Sequence, residues 1–246
     1  MTEKEKITPE PSARAEEPPA QKAAPAPRPE RAVIGFTRKD FDLLRELRGA
    51  GLDLGAAFGG IQAVAWSDLL LVGPVLGAPQ AALVLEYLRL FGVKTVVGLG
   101  WCGSLQPGLG IGRIILPETA LSEEGTSAHY PLAQGPAAAN RDLADRLSQS
   151  LSAREIPFRR GRVWTTDAPF RETANKVKQY ADQGILAVDM EASALFTVAR
   201  FREMAYAALM VVSDEVWSKE RRRGFESPEL AAGLRQAAGV ILEVMA

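Results

Sequence analysis

"VVGLGWCGSLQPGLGIG", Val96–Gly112, is the stretch on which the fold turns. Gly98, Gly100 and Gly103 spell G-x-G-x-x-G behind the apolar run VKTVV. Glu118 lies about 20 residues past the first glycine, where a dinucleotide site keeps its ribose-binding acid. Such a site also needs a helix opening at the third glycine, because the amides of its first turn hold the pyrophosphate. The chain continues instead as SLQPGLGIG, with Pro107, Gly108, Gly110 and Gly112, and then as the strand-like RIILP. No helix survives that composition, so the dinucleotide reading fails. The stretch reads as a central strand, a glycine turn and a second strand.

Outward from it, strand-like and helix-like segments alternate. AVIGF (32–36) reads as a strand, and RKDFDLLRELRGAG (38–51) as a helix with Phe41, Leu44 and Leu47 on one face. AAFGGIQAVAW (56–66) and DLLLVGP (68–74) read as hairpin strands, and APQAALVLEYLRLFG (78–92) as a helix between Pro79 and Gly92. Beyond the central stretch come a helix over 140–151, a strand over 159–166 and a helix over 170–184. ILAVD (185–189) is a strand and 190–203 a helix. AYAALMVVSDE (205–215) is apolar enough for a strand covered on both faces, and Ser227 and Pro228 open the last helix. That order predicts one α/β domain, a mixed, mostly parallel central sheet flanked by helices, over residues 32–246. Residues 1–31 hold seven of the chain's 16 prolines, mixed charge and almost no large apolar side chain. They predict a disordered tail.

The 246 residues carry a net charge of −1, which gives no field to attract nucleic acid or a membrane surface. One cysteine, Cys102, excludes an internal disulfide, and one histidine, His129, leaves too few ligands for a structural zinc site. No metal site is expected. No apolar run reaches spanning length, and a cytoplasmic protein is the expectation.

In α/β sheets ligands bind beyond the carboxyl ends of strands. The polar residues at those ends are Thr37, Arg38, Lys39 and Asp40, then Glu124, Thr126 and His129. Thr166 and Asp167 come next, then Asp189 and Glu191, and finally Ser213, Asp214 and Glu215. Recurrent carboxylates and hydroxyls suit a polyhydroxylated neutral substrate and acid-assisted bond cleavage.

AVDMEASALFTVA followed by AALMVVSDE resembles the signature of the nucleoside phosphorylase superfamily, which includes purine nucleoside and uridine phosphorylases and the methylthioadenosine/S-adenosylhomocysteine nucleosidases. VKTVVGLGWCGSLQPGLGIGRIILP, EEGTSAHY and VWTTDAPF are similar to the family's central strands and loops. The resemblance implies the family's α/β fold and cleavage of an N-glycosidic bond. By it, Glu191 would accept hydrogen bonds from both ribose hydroxyls and Met190 would pack on the sugar, above a floor that includes Gly100. Asp214 would act as the acid near purine N7, Phe170 would stack on the base, and His129 would touch the sugar's 5′ side. The aspartate at 214 tilts the reading toward a purine. It implies a homo-oligomer whose neighbour completes the site, a small-molecule nucleoside as partner, and no cofactor beyond inorganic phosphate as a co-substrate.

The departures bear on the acceptor. The family's phosphorylases carry a Gly-Asp-Pro-x-x-Arg-like first loop, an arginine near the end of the central strand and a Thr or Ser after it. Here those places read GFTRKD, Gly98 and Trp101. Neither glycine nor indole replaces a phosphate ligand. Asp40 falls where the nucleosidases place a water-activating glutamate, so hydrolysis is expected ahead of phosphorolysis. Asp40 equally suits a capping box closed on Thr37. The alternative is a phosphorylase whose anion site is rebuilt from Arg38, Lys39 or Arg113. A second is a catalytically silent nucleoside-binding module. Arg221, Arg222 and Arg223 read as a solvated charge run, or as a lid over Asp214.

Overall fold

The computed structural model describes residues 29–57, 60–131, 135–218 and 220–246. The tail expected over 1–31 lies, as far as residue 28, outside them.

The elements run β1 (Arg31–Gly35), α1 (Arg38–Arg48), β2 (Leu52–Ala57), β3 (Ile61–Ala65), β4 (Leu70–Gly73) and α2 (Ala78–Leu90). Then come β5 (Thr95–Ser104), β6 (Ile114–Glu123), α3 (Arg141–Ala153), β7 (Phe158–Thr166), α4 (Ala174–Asp182) and β8 (Ala187–Asp189). The chain closes with α5 (Ala192–Phe201), β9 (Ala205–Glu215), β10 (Arg222–Arg223) and α6 (Pro228–Val244). Helix starts obey local chemistry. Thr37, Asn140, Thr173 and Ser227 each accept an amide three residues on, at α1, α3, α4 and α6. Each cap is worth about 1 kcal/mol.

The strands form one mixed sheet in the order β10-β9-β6-β7-β8-β5-β1-β4-β3-β2. Its longest registers, β5 with β9 and β6 with β7, are parallel, while β6 meets β9 antiparallel. Because β9 pairs with both β5 and β6, the strands β5, β8, β7, β6 and β9 close into a ring. The sheet continues from β5 through β1 and β4 to the β2–β3 hairpin. Helices cover both faces. Leu85 of α2 and Leu195 of α5 pack on one side, Phe41 of α1, Leu147 of α3 and Ile241 of α6 on the other. Tyr206 through Val212 of β9 are all buried between them, which accounts for that strand's unbroken apolar run.

Several local expectations are corrected. The glycine turn at 98–103 is strand: β5 runs on to Ser104, paired residue by residue with β9. Its glycines serve close packing instead of a change of direction. A Cβ on Gly98 would stand 2.8 Å from Phe36 Cε2 and 2.5 Å from Tyr206 Oη, and one on Gly100 2.7 Å from Phe36 Cδ2. Both are below any tolerable contact, so the Phe36 ring lies flat on bare backbone. The helix expected from Phe170 starts at Ala174, since Pro169–Arg171 form a 3-10 turn and Thr173 caps the helix behind it. Of the arginine run, Arg222 and Arg223 pair with Glu215 and Asp214 as an edge strand.

Candidate active site

The residues beyond the ends of β1, β7, β8 and β9 gather with the last part of β5 around a cavity of about 450 Å³. A larger cleft of about 560 Å³, lined by Arg113, Arg159 and Asp182, holds none of the strand-end carboxylates at 189, 191 and 214. Chemistry, not size, therefore marks the smaller one.

One end is built by the turn after β8. Asp189 is buried, accepts the Thr165 hydroxyl at 2.6 Å, and takes the amides of Glu191 at 3.0 Å and Ala192 at 2.6 Å. That clamp sets Met190 and Glu191 facing the cavity, at the start of α5. Glu191 Oε1 accepts the Gly77 amide at 2.6 Å, at the amino end of α2, where Gly77 holds φ +80. Burial, and then the neighbouring Asp189 charge, raise the Glu191 carboxyl above its usual range. Burial raises Asp189 as well, but three hydrogen bonds favour its anion. Of this pair, Asp189 keeps the charge and Glu191 takes up the proton more readily. Behind them Glu124 accepts Ser122, Ser193 and the amides of Thr126 and Ser127. Burial opposes its charge, yet those bonds hold its carboxyl below the ordinary value.

The other end belongs to β9 and the segments on either side. Ser213 Oγ donates to Asp214 Oδ1 at 2.7 Å. Glu172, after the 3-10 turn, lines the same end with Arg221, whose guanidinium lies 3.7 Å from the carboxylate and donates to the Glu172 carbonyl. Burial first, then the charge of Asp214, push Glu172 up to about 7 against the opposing pull of Arg221. Phe170 stands at the mouth, fully exposed. The floor is aromatic: Phe36 on the β5 glycines and Trp101 stacked on Phe225 at 6.0 Å.

The structure thus brings together Glu191, Met190, Asp214 and Phe170 around one cavity. It does not bring the rest. Asp40 is fully buried outside the lining, its two oxygens taken by the Thr37 amide and the Trp101 indole N–H, each at 2.8 Å. The capping box is real, and no free carboxylate oxygen remains there to orient water. Gly100 is covered by Phe36 and does not reach the cavity. His129 is exposed on a 3-10 turn away from the lining. Arg38 pairs with Asp42, Lys39 with Glu226, and Arg113 lines the other cleft, so none stands in this cavity as an anion ligand. The cations of the lining are Arg221 and Arg223. Cys102 is buried, with its thiol raised far above the usual value by burial first, as a small packing residue should be. No group of three or more His, Cys, Asp or Glu among the described residues is arranged to share a metal ion. No helix of the described residues is long and apolar enough to cross a membrane.

Phe36, Glu172 and Phe225 are not legible in the sequence as site residues. Phe36 reads as the end of a strand, and Glu172 as the first turn of a helix. Pro169 together with the Thr173 cap is the signal that frees Glu172 from that helix.

A carboxylate end, an acid end and an aromatic floor thus meet at the strand ends of a ring-closed sheet. The chain belongs to the phosphorylase superfamily, whose family model matches residues 30–244. It is 28% identical over 164 residues to guanosine phosphorylase of Halorubrum lacusprofundi, covering 67% of this chain and 68% of that one. It is 31% identical over 150 residues to a DeoD-type purine nucleoside phosphorylase of Bacillus cereus, covering 60% of this chain and 64% of the relative's length. Uridine phosphorylase from Vibrio fischeri ES114 superposes with a TM-score of 0.77 at 24% identity, over 88% of this chain and 91% of that one. Purine nucleoside phosphorylase from Toxoplasma gondii superposes with a TM-score of 0.80 at 18% identity, over 89% and 90%. At such identities the two structures speak for the fold alone. Both relatives are phosphorylases by name.

Proposed function

We propose that this enzyme cleaves the N-glycosidic bond of a purine nucleoside and transfers the ribosyl group to inorganic phosphate. The observation that carries the cleavage is one cavity with Glu191 and Met190 at one end and Asp214 at the other. Breaking the bond leaves positive charge on the sugar and negative charge on the base. The negative charge that the Asp189–Glu191 pair keeps beside the ribose and an acid beside the base both bind that transition state better than the ground state. Asp214 supplies the proton to the base, Glu191 accepts the ribose hydroxyls, and Phe170 closes on the purine face. Phosphate as acceptor is supported by the names of the relatives; of the two lining cations Arg221 is engaged by Glu172, which leaves Arg223 to meet it. Leu76, Leu83 and Leu90, exposed on and beside α2, support a homo-oligomer.

Hydrolysis is the second reading, and the floor favours it. Phe36 and Trp101 stand where a phosphate would need donors, and the Trp101 N–H is already engaged by Asp40. Chromatography of products from guanosine, inosine, adenosine and uridine, with and without phosphate, tests both. Base plus ribose-1-phosphate, formed only with phosphate, supports the first reading. Base plus free ribose in phosphate-free buffer supports the second, and no cleavage under either condition refutes both.

A further inference from the structure

Glu172 is a second carboxyl at the end of the cavity that holds Asp214, and nothing in the reaction as described uses it. Its side chain keeps 12% of its exposure. Arg221 is tied to it twice, by the bond to its carbonyl and by the 3.7 Å approach to its carboxylate, and adopts φ +45 there. The charges acting on Glu172 are Arg221 from the loop after β9 and Asp214 from β9; Arg223 of β10 shares the cavity lining, and Lys178 and Asp182 of α4 line the neighbouring cleft that Glu172 also borders. Glu191 and Asp189 stand at the opposite, ribose end, and Arg171, on the same 3-10 turn, is exposed.

We propose that Glu172 stores the proton that leaves with the base, passing it to Asp214 at the moment of cleavage. The inference rests on the reading of the site as a purine nucleoside cleavage site. An acid that gives its proton to the base must be reprotonated before the next turnover, so Asp214 needs a source beside it. Glu172, pushed up to about 7 chiefly by burial, is half neutral at neutral pH. The step balances. The O–H of Glu172 breaks as an O–H forms on Asp214, and Asp214 gives that proton to N7 as the C1′–N9 electron pair moves onto the purine. Both carboxyls end as anions. The proton released when the acceptor bonds C1′ returns to Glu172. Arg221 stabilises the pair while it carries two charges.

The test compares guanosine with 7-methylguanosine, whose base already bears the charge that protonation would create. For Glu172→Gln, kcat/KM on guanosine should fall about tenfold or more at about pH 6, and on 7-methylguanosine by no more than about threefold. The wild-type decline of kcat/KM on guanosine above about pH 7 should disappear in that variant. Glu172→Asp, which still carries a proton, should recover part of the guanosine activity. Equal falls on both nucleosides, or an unaltered pH profile, would overturn the proposal in favour of a binding or structural role. If the wild type leaves both nucleosides uncleaved, the parent reading fails and this one fails with it. Turnover of 7-methylguanosine by wild type with equal falls in the variant removes the proton store alone.

Discussion

Asp40→Asn isolates one buried charge, and its effect on stability has a sign that the structure dictates. Asp40 is fully buried, and burial raises its carboxyl from 3.8 to about 6 despite hydrogen bonds from Thr37 and Trp101. Between those values the folded protein binds a proton that the unfolded chain does not. Unfolding free energy therefore falls with rising pH, by about 1.4 kcal/mol per unit. Across the interval from 3.8 to about 6 the loss comes to about 3 kcal/mol. Asparagine cannot ionise and escapes this loss. It carries a different penalty, because its NH2 must face either the Thr37 amide or the Trp101 indole N–H, about 1–3 kcal/mol independent of pH. Urea unfolding of both proteins from about pH 4 to about pH 8 gives the difference in stability at each pH, in which the other titrating groups cancel. From about pH 4 that difference should move by about 2 kcal/mol in favour of Asp40→Asn by about pH 6, and level off above about 7. A flat difference, or one that moves toward the wild type, would refute the account of Asp40 as a carboxylate ionised at a cost.

Asp214→Asn should lower turnover of the best purine nucleoside by about 10²–10⁴-fold with the unfolding midpoint held, read from steady-state kinetics beside a melt. Glu191→Ala removes the acceptor of the Gly77 amide as well as that of the ribose, so it should raise KM and lower the unfolding free energy by about 1–3 kcal/mol. Intact nucleoside affinity by calorimetry would count against the ribose role. Gly98→Ala drives a methyl to 2.5 Å from Tyr206 Oη and 2.8 Å from Phe36, and should cost about 1–3 kcal/mol in urea unfolding. An unchanged midpoint would mean that the Phe36 ring yields freely.

How much of the molecule is legible in the sequence varies with the distance over which each feature is decided. Helix starts at Thr37, Asn140 and Ser227 are local hydrogen bonds close to where the sequence places them, whereas the equally local cap at Thr173 is hidden by the helix-like run that begins at Phe170. The apolar run of β9 is set by burial on both faces, and it too shows in the chain. Glu191 and Asp214 are legible because each sits at the end of a readable strand. The run Gly98–Gly103 misleads because the reason for its glycines is a ring far away in sequence, Phe36 lying on the strand's face. Asp40 misleads in the opposite way. Its capping box is local and visible, but the Trp101 indole N–H that donates to its remaining oxygen comes from β5, sixty-one residues on. Ring closure, likewise, depends on β9 meeting β5 and β6 at once, which no window of sequence contains.

The Phe36 ring on bare backbone also constrains the mutational paths open to this chain. A guanidinium introduced at position 98 would collide with Phe36 and with Tyr206 from its first carbon onward. Position 36 would have to shrink, and the phenol at 206 withdraw, before an arginine there could be neutral or useful. Shrinking Phe36 first opens an apolar void, at about 3–5 kcal/mol for a phenylalanine-to-alanine change. Each single step is thus worse than either endpoint. Changes at the three positions are therefore coupled, and each alone costs stability that the combination would recover.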